Sequence, residues 1–349
     1  MRSGQAIINH NLGLSRLRAC FTEDGSSVIT CGKGHFKSWS ISHNRLAATL
    51  TEKPVSLAKD FRSSVFVAVK SAISSFSSTA PPASGGVYAL TSDGKLLLMR
   101  ATGRSLSHHV NLQVSQAFDL DVSENLVAVA CEAGLVRVFT SKTLQYQTSL
   151  PRPPPIDEDT YPDAVGVAFS PSDGNKLAAA YSDRTITVFD VSNSKKASRI
   201  RTLSSHSGGI FSLKSHRDLM ATASADGSIR LWRGSHQSYT LRDVAIPQFS
   251  SRPATIKAQV AKGAIGQVNW KRGGVKEAVK KEQPRMQESN AVCCLDISSD
   301  GLLLVAGDER GRIQVFDLAS KKLLISRDQV HDGRIQAISI SPNKASPMI

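Results

Sequence analysis

"SADGSIRLWRGSH", residues 224–236, reads as the end of one strand, a tight polar turn at Asp226-Gly227, and a second strand carrying Trp232. A Ser, an Asp and nearby histidines, His206 upstream and His236 at the end, pose two readings. One is a nucleophile with its base and acid; the other is one unit of a repeated scaffold. Repetition decides between them. The same frame returns as "CGKGHFKSW" (31–39), "TSDGKLLLM" (91–99), "CEAGLVRVF" (131–139), "YSDRTITVF" (181–189) and "GDERGRIQVF" (307–316). Its bulky anchors are Trp39, Met99, Phe139, Phe189, Trp232 and Phe316, at intervals of 60, 40, 50, 43 and 84 residues. Two intervals match the roughly 40–45 residues of a four-stranded propeller blade. The longer ones coincide with insertions.

Those insertions are legible by composition. Residues 71–86 are rich in Ser, Pro and Gly and read as a loop. Residues 150–162 are Pro-rich and acidic and run extended between blades. Residues 234–289 hold the longest excursion and are basic. Ahead of each anchor pair lies another strand, as in "AVGVAFSPSDGNKLAAAY" (164–181). A weaker strand follows it, as in "KLLISR" (322–327). No ten-residue run outside the basic insertion shows a helical period, which disfavours alternating β–α units. The expected fold is all-β: a β-propeller of about six four-stranded blades, near 16–50, 60–113, 116–150, 163–204, 208–245 and 290–327. Residues 333–341 are expected to open a further, incomplete blade. The apolar runs "LLLVAG" (302–307) and "KLAAAY" (176–181) are expected to be the inner strands, buried on both faces.

At these residues the chain resembles the WD-repeat family. The resemblance implies a hydrogen-bonded network of His206, Ser224, Asp226 and Trp232, complete in this blade alone. Asp93 and Asp183 keep the turn acid, whereas Lys33, Ala133 and Arg310 replace it, so packing is expected to hold those blades. His331 is expected to open the last repeat in the same structural way. A narrower resemblance runs through "LPRPPP…TYPDAVGVAFSP…LAAAYSDRTITVFDV" (150–191), which is similar to the mitogen-activated protein kinase-binding protein 1 family. That family's members are much longer, with two propellers and a C-terminal kinase-docking region, so the chain reads as a fragment. The resemblance implies a non-enzymatic scaffold for protein partners: signalling kinases of the Jun N-terminal branch, or cytoskeletal and centrosomal proteins. It implies a cytoplasmic setting with centrosome or spindle association, and leaves a nuclear one open.

Charge supplies the alternative. The net charge is +14, and residues 252–285 hold nine Lys or Arg against Glu277 and Glu282, a local excess of +7. Lys257, Lys262, Lys271, Arg272, Lys276, Lys280 and Lys281 form a candidate polyanion-binding loop toward RNA or an acidic surface. On that reading the protein is a WD-repeat subunit of an RNA-processing or ribosome-biogenesis complex. The bland reading is a solvated loop, since Trp270 is its only aromatic residue. Cys20, Cys31, Cys131, Cys293 and Cys294 lack C-x-x-C spacing, so buried thiols are expected rather than a metal site. No cofactor motif is present: "GQVNWKRGG" (266–274) has neither phosphate-loop nor dinucleotide spacing. His108 and His109 adjoin on one strand and point to opposite faces, which argues against joint metal ligation. No stretch approaches the roughly 18–20 apolar residues of a membrane span.

Overall fold

The computed structural model describes residues 17–44, 47–72, 86–172, 174–193, 196–204, 206–235, 238–245 and 290–342. Six antiparallel four-stranded sheets follow one another along the chain. Blade 1 holds β1 (Arg18–Phe21), β2 (Ser27–Gly32), β3 (His35–Asn44) and β4 (Ala47–Lys53). After a short helix, α1 (Lys59–Arg62), blade 2 holds β5 (Phe66–Ser71), β6 (Val87–Thr91), β7 (Lys95–Met99) and β8 (Leu106–Asn111). Blade 3 holds β9 (Ala117–Val122), β10 (Leu126–Cys131), β11 (Val136–Thr140) and β12 (Tyr146–Ser149). Blade 4 holds β13 (Ala164–Phe169), β14 (Lys176–Tyr181), β15 (Thr185–Asp190) and β16 (Ser198–Ser204). Blade 5 holds β17 (Ile210–His216), β18 (Leu219–Ser224), β19 (Ser228–Ser235) and β20 (Ser238–Ala245). Blade 6 holds β21 (Val292–Ile297), β22 (Leu303–Asp308), β23 (Ile313–Asp317) and β24 (Lys322–Arg327). The arrangement is a β-propeller of six blades.

Strand periodicity explains why the blades stack. In β10, Val127, Val129 and Cys131 pack against blade 2, while Ala128 and Ala130 pack against blade 4. A strand that alternates between two neighbours must be apolar at every position. The core is therefore a ring of inter-blade layers, each shared by consecutive blades. All six anchors lie on third strands and are buried. Five of them, Met99, Phe139, Phe189, Trp232 and Phe316, pack toward the preceding blade.

The most apolar strands, β14 and β22, stand second in their blades, not innermost as expected. The second strand has blades on both faces, whereas the innermost strand has one edge toward the ring axis, where water and charge are tolerated. The innermost strands accordingly carry Lys70, Asp119, Asp121, Lys214 and Asp296.

Between blades 6 and 1 lies a single extended segment, residues 334–341, with no strand pairing among the described residues. It is bonded to both neighbours. The Ile335 amide donates to the Asp308 carbonyl (3.0 Å), and the Ile340 amide to Asp296 Oδ2 (2.8 Å). From the other side, Arg18 Nη1 donates to the Gln336 carbonyl (3.1 Å) and the Phe21 amide to Ser339 Oγ (3.4 Å). Ile340 and half-buried Ile338 pack on Val305 and Val315. Glycines make room for it. A Cβ at Gly307 would lie 2.6 Å from Ile335 Cγ2, and one at Gly311 (φ +78°) would lie 1.9 Å from the His331 carbonyl oxygen.

Candidate functional site

The residues singled out in blade 5 do converge, with one exchange. His206 precedes β17, and its ring is buried. Nδ1 lies 3.0 Å from Asp226 Oδ2, and Nε2 lies 2.7 Å from Thr222 Oγ1. Trp232 Nε1 donates to the same Thr222 oxygen at 3.0 Å. A carboxylate only accepts, so Nδ1 carries the proton; in the neutral ring Nε2 then accepts from the Thr222 hydroxyl, which accepts from Trp232. The hydroxyl in the relay is thus Thr222, not Ser224. Ser224 Oγ instead donates to the Gly208 carbonyl (3.0 Å) and accepts from the Asp226 amide (3.1 Å). The signal was in the register. Met220, Thr222 and Ser224 share one face, and Trp232 stands opposite Met220, so its indole reaches one step along that face.

Asp226 fastens the turn. It also accepts from the amides of Ser207 (2.9 Å) and Ser228 (2.9 Å) and from the Ser228 hydroxyl (2.6 Å). Burial by itself would raise this carboxyl, but the hydrogen bonds from Ser228 and His206 together outweigh it and hold the carboxyl well below the usual carboxylate range. Gly208 allows the close approach, since a Cβ there would lie 2.6 Å from the Asp226 amide nitrogen. A Ser–His–Asp nucleophile is not what these atoms form. Ser224 is fully buried and its hydroxyl faces a carbonyl, not His206.

Blade 1 contains a related network that the sequence reasoning missed. Trp39 Nε1 donates to Thr30 Oγ1 (2.8 Å), and Thr30 Oγ1 lies 2.8 Å from His35 Nε2. Here the histidine comes from β3 itself, beyond the turn, so a search for an upstream His passes over it. Burial, with Lys37 nearby, lowers the His35 pKa and favours the neutral ring. The other turn acids act locally: Asp183 Oδ1 accepts from the Thr185 amide (2.9 Å), and Asp93 pairs with Lys95 (2.8 Å). His331 is exposed, so it does not form the buried structural contact expected of it. His108 and His109 both lie exposed on β8; His108 meets Ser107, and His109 stands edge-on to Phe61.

Around the ring axis, charges from four inner strands come together. Lys70 pairs with Asp121 at 3.2 Å. The carboxylates bond across to the next inner element: Asp119 Oδ2 to the Val167 amide (3.3 Å), Asp121 Oδ2 to the Phe169 amide (2.8 Å), and Asp296 Oδ2 to Ile340. They satisfy backbone donors that unpaired inner edges would leave exposed. Burial and the neighbouring Lys70 lower the Lys214 pKa, and burial raises that of Asp119. Among the described residues no group of three or more His, Cys, Asp or Glu is placed to hold a metal ion, and no helix is long and apolar enough to cross a membrane. Burial pushes the Cys20, Cys131 and Cys294 thiols up to about 12 and Cys293 to about 11. The basic-loop residues Lys257, Lys262, Lys271, Arg272, Lys276, Lys280 and Lys281 lie outside the described residues, as does most of the 71–86 insertion.

Comparison with known proteins agrees with this architecture. The WD domain, G-beta repeat family matches at residues 197–233 and 282–317. The chain is similar to human mitogen-activated protein kinase-binding protein 1, with 25% identity over 385 residues, 96% of this chain and 24% of that protein. The mouse protein of that name is 24% identical over 380 residues with the same coverage. Mouse WD repeat-containing protein 62 is 24% identical over 353 residues, covering 92% of this chain and 22% of the relative. The chain thus spans about a quarter of the length of the curated relatives it matches. Among solved structures, the computationally designed Ika8 protein superposes with a TM-score of 0.53 at 19% identity, over 89% of this chain and 74% of that one, a likeness of fold alone.

Proposed function

We propose that this WD-repeat protein is a non-enzymatic scaffold that gathers protein partners on its blade-edge loops in mitogen-activated kinase signalling. The supporting observation is similarity along 96% of the chain to a protein named for binding such a kinase. The physical logic is a ring whose inter-blade layers hold many loops in fixed relation, so that several partners are presented at once. The Jun N-terminal branch is the kinase class this reading favours, with cytoskeletal or centrosomal proteins as further partners and the cytoplasm and spindle as the setting. The test is affinity capture of the tagged chain followed by mass spectrometry, with and without nuclease. Kinase-pathway and spindle proteins retained after nuclease treatment are expected. Partners that are ribosomal or nucleolar and lost with nuclease would overturn the reading in favour of polyanion binding through 252–285.

A further inference from the structure

The link between blades 3 and 4, residues 150–163, is exposed yet tightly held. Pro151, Pro153, Pro154 and Pro155 each fix φ, and Leu150, Arg152, Pro153 and Pro154 each precede a proline and are pushed to extended ψ. Every peptide bond here is trans. These restraints favour an extended, left-handed polyproline II course over residues 150–155, with three residues per turn and hence three ridges. Leu150 and Pro153 form one ridge and are buried in the ring. Pro151 with Pro154, and Arg152 with Pro155, form the other two, and all four residues are exposed.

Three contacts hold the link, one on the buried ridge at Pro153 and two at Arg152. Pro153 sits on the Gly134 turn, where a Cβ would lie 2.7 Å from Pro153 Cδ. Arg199 Nη2 donates to the Arg152 carbonyl at 3.0 Å. The Arg152 guanidinium lies 5.2 Å from the centre of the Tyr161 ring. The chain then turns at Ile156, whose amide donates to the Thr160 carbonyl (2.7 Å), and the turn that follows the prolines carries exposed Asp157, Glu158 and Asp159.

We infer that this link is a preformed docking ligand for a proline-recognition domain, one with an aromatic-lined groove and a basic rim. Such grooves receive the prolines of an extended Pro-rich segment, and here Pro151, Pro154 and Pro155 face solvent while Arg152 is engaged by Arg199 and Tyr161. The adjoining carboxylates select the basic rim by charge complementarity. The clamp removes the ordering cost that a free peptide bears on binding. The inference rests on the scaffold reading and names the chemistry of one partner.

The experiment presents the full chain to an array of purified SH3, WW and EVH1 domains and profilin, measuring affinity by biolayer interferometry. At least one basic-rimmed domain is expected to bind. The double variant Pro151→Ala/Pro154→Ala should weaken it at least tenfold with an unchanged circular dichroism spectrum. Gly134→Ala, which unseats Pro153 but leaves the link's sequence intact, should weaken it less. Absence of binding by every domain, or equal binding by the double variant, would overturn the inference. Kinase-pathway capture is read separately. Its persistence in the double variant leaves the scaffold reading standing, and its absence beside intact domain binding sinks the kinase reading alone.

Discussion

Thr222→Val removes the one oxygen that both Trp232 and His206 use, and leaves the shape of the side chain almost unchanged. Thr222 is 0% exposed, Trp232 2% and His206 5%, so neither abandoned group can turn to solvent. Each orphaned buried group costs about 1–3 kcal/mol, so the pair costs about 2–6 kcal/mol before relaxation. Thr222→Ser keeps the hydroxyl and should lose only about 0.8 kcal/mol for its methyl group. Ser224→Ala breaks two hydrogen bonds, to the Gly208 carbonyl and from the Asp226 amide, but both partner residues are only half-buried and can reach water, so the loss should be about 1–3 kcal/mol, the net worth of two ordinary hydrogen bonds. The assay is urea denaturation followed by far-UV circular dichroism, with amide exchange across β18 because a ring of repeats need not unfold in one step. The expected order of loss is Thr222→Val above Ser224→Ala. If Ser224→Ala proves the costlier, or if Thr222→Val lies within about 0.5 kcal/mol of the parent, the ordinary surface range, the relay is wrongly assigned.

Three further outcomes follow from the same geometry. The Asp226 carboxyl is held below its unfolded pKa of about 3.9, so its contribution is present above that pH and fades as pH falls through the folded value; Asp226→Asn should flatten the loss of stability between neutral and strongly acid pH, measured by denaturation midpoints. Gly311→Ala cannot keep the His331 carbonyl in place and adds the strain of φ +78°, about 1–2 kcal/mol for a residue with a Cβ; limited proteolysis should then cut faster around 330–342, and an unchanged cleavage pattern would contradict the packing described for that segment. The five cysteines are buried, and burial raises their pKa values, so iodoacetamide at neutral pH should label them slowly in the native ring and rapidly in urea, as peptide mapping would reveal.

The repeat frame carried most of the architecture because a blade needs a strand, a turn and a bulky third-strand anchor in the same order every time. Such local order survives as spacing, even where Lys33, Ala133 and Arg310 stand in the place of the turn acid. What spacing cannot convey is which of several hydroxyls on one face meets a given donor. Thr222 and Ser224 differ by two positions, and only the cross-strand placement of Trp232 separates them. The His35 network was hidden for a similar reason: its histidine approaches Thr30 from the opposite side of the turn.

The sequence alone determined a ring of repeated four-stranded units, since alternating apolar residues and turn chemistry act over a few neighbours in the chain. It also determined that residues 150–155 are extended, because proline restricts the backbone covalently. Only the tertiary structure decided that β14 and β22 lie between blades rather than at the axis. It alone decided that charges from four blades converge there, and that 334–341 bridges blades 6 and 1. Those contacts join residues up to 318 positions apart, and their partners are set by how the sheets stack.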